Sequence, residues 1–143
     1  MTDEEIEVAC ELVKAKGFRW VAGMLAVDLQ PQVWDSIRIG AARVDEDGDR
    51  PGWSYDHAWY PLDTPVPDLT DPATLGCLLA LARELCGNNE MVLAPANRPW
   101  PNDYGYRGPW WRFGRNSVGP FREGEGPTEG IALARAIIAS RAD

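Results

Sequence analysis

A chain of 143 residues, 45% apolar and 25% charged, has the size and composition of one folded domain, which excludes wholesale disorder. Its formal charge of −8 excludes a general nucleic-acid binder, because neutralising phosphates takes a basic face. No stretch approaches the ~20 apolar residues that span a bilayer, and no basic flank leads into an apolar run at the amino terminus. The expectation is a single α+β domain over residues 1–143, in a cytoplasm, without membrane contact.

Thr2 and Glu5 have capping-box spacing, and Ile6, Ala9, Cys10 and Val13 repeat at helical intervals, predicting an amino-terminal helix that Gly17 stops. Residues 18–29 and 33–44 are rich in β-branched and aromatic side chains and read as two strands separated by Pro31. Asp45-Glu46-Asp47-Gly48-Asp49 carries an Asp-Gly turn signal and leads into a third strand. In that strand Trp53, Tyr55, His57 and Trp59 alternate along one face.

Pro61, Pro65 and Pro67 favour an extended connection up to Asp71, a helix cap, and Pro72, suited to the first helical position. Leu75, Leu78, Leu79, Ala82 and Leu85 form the apolar face of a second helix that Gly87 ends. Residues 90–94 and 110–115 read as a strand and its hairpin partner. Gly124, Gly126 and Pro127 introduce a last helix with Ile131, Leu133, Ala134, Ile137 and Ile138 on its apolar face. The predicted architecture is a sandwich-like α+β fold, a mainly antiparallel sheet of about five strands with three helices.

Catalytic chemistry finds little to work with. His57 is the only histidine, and a lone histidine among strand aromatics reads as a packed side chain rather than one half of an acid/base pair with Asp56. Cys10, Cys77 and Cys86 are odd in number and sit inside apolar helical patterns, as reduced core thiols do. Asp45, Asp47, Asp49 and Asp56 mimic a calcium-loop register, but Arg50 stands where that loop needs glycine, so no metal site is expected. No cofactor motif appears, and a non-enzymatic role is expected.

Residues 94–121 are the unusual part. Five arginines stand against one acid between Arg98 and Arg122, giving that segment a net +4 and leaving −12 on the remainder. Trp100, Tyr104, Tyr106, Arg107, Trp110, Arg112 and Arg115 form the candidate binding set. Aromatic planes beside guanidinium groups suit a stacked base with its phosphate. The same residues suit a protein interface, and they also suit a purely structural aromatic cluster on a sheet.

Three stretches carry a family resemblance: the acidic helix at residues 2–16, the entry "Val66-Pro67-Asp68-Leu69-Thr70-Asp71-Pro72-Ala73-Thr74-Leu75" to the central helix, and "Gly126-Pro127-Thr128-Glu129-Gly130-Ile131-Ala132-Leu133-Ala134-Arg135-Ala136" after a Trp-containing strand. In these the chain resembles short bacteriophage proteins with a phage ABA sandwich domain, over about half its length. The resemblance implies architecture and supplies no catalytic residues. It implies an early accessory protein acting in the cytoplasm of an infected bacterial host, an inhibitor that blunts a host defence factor by protein binding. The alternative is a sponge that sequesters an anionic nucleotide signal through the arginine and aromatic segment.

Overall fold

In the computed structural model, which describes residues 1–30, 36–40, 51–55, 58–87, 91–95, 110–115 and 124–140, the chain opens on the expected capping box. Thr2 Oγ1 accepts the Glu5 N–H at 3.2 Å and Glu5 Oε1 accepts the Thr2 N–H at 2.9 Å. The two bonds satisfy orphan donors at the head of helix α1 (Asp3–Val13). The inward face is rotated from the predicted one and shares Ala9 with it: Glu5, Val8, Ala9 and Leu12 are buried, while Ile6, Cys10 and Val13 are half-buried. It also ends at a Lys14 cap, ahead of Gly17.

Residues 18–24 do not extend the first strand. They run as irregular backbone with one turn at residues 22–23, around a buried Trp20 against which Phe18 stands edge-on with ring centroids 5.2 Å apart. Strand β1 (Leu25–Asp28) then pairs antiparallel with β2 (Ser36–Arg38) on one side and β5 (Pro65–Pro67) on the other. Prolines are tolerated in β5 for a directional reason. The Thr64 carbonyl accepts from Leu29 N–H and Asp68 N–H donates to the Leu25 carbonyl, so even-numbered residues point their backbone groups at β1. Pro65 and Pro67 therefore face the outer edge, where a missing N–H breaks no ladder bond.

The aromatic stretch predicted as one alternating strand is a hairpin, β3 (Gly52–Tyr55) against β4 (Ala58–Pro61), with Trp53 opposite Tyr60 and Ser54 opposite Trp59. One alternation therefore cannot run from Trp53 to Trp59. His57 and Asp56, like the acidic turn at residues 45–49, lie outside the described residues. Helix α2 (Pro72–Cys86) has the predicted boundaries, with Asp71 as N-cap, Pro72 in its first turn and Gly87 at a left-handed C-cap, φ 64°.

A second antiparallel sheet joins β6 (Met91–Pro95), β7 (Trp111–Arg115) and β8 (Gly124–Gly126), with β7 central. Helix α3 (Glu129–Ala139), capped by Thr128 Oγ1 accepting from Ile131 N–H, lies along β8 and touches β7, α1 and α2. Buried residues run almost all the way round it, from Gly130 to Ala134 and on to Ala136 and Ile137, as expected of a helix at the centre of a core. Leu12, Met24, Val66, Leu69, Leu78, Leu81, Met91, Phe113, Leu133 and Ile137 belong to one contiguous apolar cluster.

Among the described residues the fold is α+β with three helices, as expected, but in place of one five-stranded sheet there are two three-stranded antiparallel sheets and a separate two-stranded ribbon. Outward prolines close one edge of the first sheet, and in the second the Gly-Glu-Gly strand lets α3 lie close against its face. Among the described residues no helix is long and apolar enough to cross a membrane.

Candidate functional site

β6 and β7 define where the arginine and aromatic segment leaves and rejoins the sheet. Pro95, the last residue of β6, is the register partner of Trp111, the first of β7. Residues 96–110 thus start and finish at one end of the same strand pair. Trp100, Tyr104, Tyr106 and Arg107 belong to this connection and lie outside the described residues. Trp110 sits at its close and is half-buried.

Within β7 the pleat sorts the side chains. Trp111 is opposite Gly126 and Phe113 is opposite Gly124. A Cβ on either glycine would run into α3, under 3.0 Å from Ile131 at position 126 and from the Ala132 and Ala136 backbone at position 124. Phe113 is accordingly fully buried, while Trp111, nearer the sheet end, is half-buried. Trp110 and Trp111 are both half-buried.

Arg112 points to the other face, opposite Glu125, and its Nε lies 3.3 Å from Glu125 Oε2 with both side chains largely shielded, at 30% and 27% exposure. The cross-strand pair offsets charge as well as fixing geometry. Glu125 is held in turn, since Arg135 of α3 donates from Nη1 to its carbonyl oxygen at 3.0 Å and from Nη2 to Glu4 Oε1 at 3.2 Å. Arg115 ends β7 opposite Met91. Glu125 and Arg135 were not candidates in the sequence. The signal was the Gly124-Glu125-Gly126 alternation, complementary to Trp111-Arg112-Phe113 once a third strand is recognised.

A second polar cluster joins β1, β2 and α2. Arg38 makes a two-pronged contact with Asp71, Nη1 to Oδ2 and Nη2 to Oδ1, and Nη1 also donates to the Gly23 carbonyl. Asp71 Oδ2 further accepts the N–H and the hydroxyl of Thr74, both at 2.9 Å. The Thr74 hydroxyl, fully buried, itself accepts Leu25 N–H at 2.8 Å. The hydrogen-bonding Arg38 guanidinium holds the Asp71 carboxyl at about 2, below its ordinary 3.8. With both oxygens engaged, Asp71 serves as a fastening and not as a proton carrier.

Cys77 lies beside this cluster, its Sγ 3.5 Å from the Ala22 carbonyl, and burial pushes its thiol above the ordinary value. All three cysteines are free and half-buried, less enclosed than core thiols. Among the described residues no three His, Cys, Asp or Glu side chains converge as a metal site would require. Comparison with family models, curated proteins and solved structures finds no match for the chain.

Proposed function

We propose that this chain is a non-enzymatic phage accessory protein that inhibits a host factor, in the manner of a counter-defence protein, by binding it through the segment that joins β6 to β7. The observation carrying this reading is the Pro95–Trp111 strand pair. Trp100, Tyr104, Tyr106, Arg107 and Trp110 belong by sequence to the connection whose two ends this pair brings together, on a sheet packed against α3. Long connections on rigid scaffolds are where binding residues concentrate, and Trp, Tyr and Arg dominate protein hot spots. The negative remainder of the chain adds long-range attraction for a basic partner.

The Arg112–Glu125 pair favours a protein partner over an anionic nucleotide. A phosphate approaching Arg112 meets the Glu125 carboxylate beside it, whereas a protein interface accommodates a neutralised pair at its rim.

The test is the double variant Trp100→Ala with Arg107→Ala, compared with the parent chain by thermal melting and by capture of partners from bacterial host lysate. The expected outcome is a nearly unchanged melting temperature and loss of the captured host protein. Full-strength capture by the double variant overturns the site. A rise in melting temperature with a nucleotide panel, in place of protein capture, overturns the choice of partner.

A further inference from the structure

We draw no further inference here: the strongest candidate, the solvent-exposed stripe of small residues Ala73, Gly76 and Ala80 along the outer face of α2, carries nothing because nothing in the structure shows what covers it.

Discussion

The two three-stranded sheets are attached to the helices by different physics. The β6–β7–β8 sheet is held chiefly by shape, with Arg135 and Arg83 adding bonds to the Glu125 and Met91 carbonyls: Gly124 and Gly126 let α3 lie on β8 at a distance no side chain permits, and Phe113 and Ile137 fill the space beside them. The β2–β1–β5 sheet is held in large part by polar side chains that reach backbone donors. Thr74 of α2 accepts from Leu25, and Asp28, only 6% exposed, ties β1 to the segment leading into β5 by accepting N–H bonds from Asp63 and Thr64, besides Gln30, at 3.0–3.1 Å. Close packing tolerates no added atom and is indifferent to charge. A hydrogen-bonded attachment accepts changes of shape and fails when a partner is removed or titrated.

The largest expected effect breaks the packed side. Gly124→Ala should cost about 3 kcal/mol or more, because its methyl group would meet backbone atoms of α3 that cannot swing aside. Denaturant unfolding checks this, and a loss below about 1 kcal/mol would show that α3 can lift from β8 freely. Next comes the polar side: Thr74→Val keeps the shape but leaves Leu25 N–H without its acceptor, a change of about 1–3 kcal/mol.

A smaller effect separates the two attachments by pH. Asp71 has a folded-state value of about 2 against an ordinary 3.8, so its contribution is fully present above 3.8 and is lost as the pH falls from there through about 2. Asp71→Asn, which preserves helix-capping ability, should flatten the stability profile in that window. An unchanged acid limb in the variant would show that other carboxylates govern it. The smallest effect is a gain. Gly76 lies inside α2, exposed, with nothing within 4 Å of an added Cβ, so Gly76→Ala should stabilise by about 0.5–1 kcal/mol. Melting curves that fail to rise would mean that the site is constrained in the folded state.

What was legible in the sequence is what is decided locally. The Thr2–Glu5 box, the Asp71 and Pro72 entry and the Gly87 exit lie within a few residues of what they act on, and all are where spacing placed them. Of the expected stripe on α1 only Ala9 is fully buried, because Val8 and Leu12 repeat as helically around it as Ile6, Cys10 and Val13, and contact with α3 and β5 selects between them. β8 was missed because glycines argue against a strand on propensity, and only the approach of α3 explains them. The hairpin at residues 52–61 lacks a glycine at its turn, so its two halves read as one strand. At the candidate site, the hairpin carrying Arg112 was visible from its alternation, but its pairing with Glu125 depends on the register of a third strand.

The prolines of β5 set a limit on assembly. A growing cross-β stack must find a donor and an acceptor in turn along the edge it copies. At positions 65 and 67 the outer edge of the β2–β1–β5 sheet supplies acceptors only, so a neighbouring strand laid there would leave its own carbonyls facing pyrrolidine rings. The sheet is thereby self-terminating on that side.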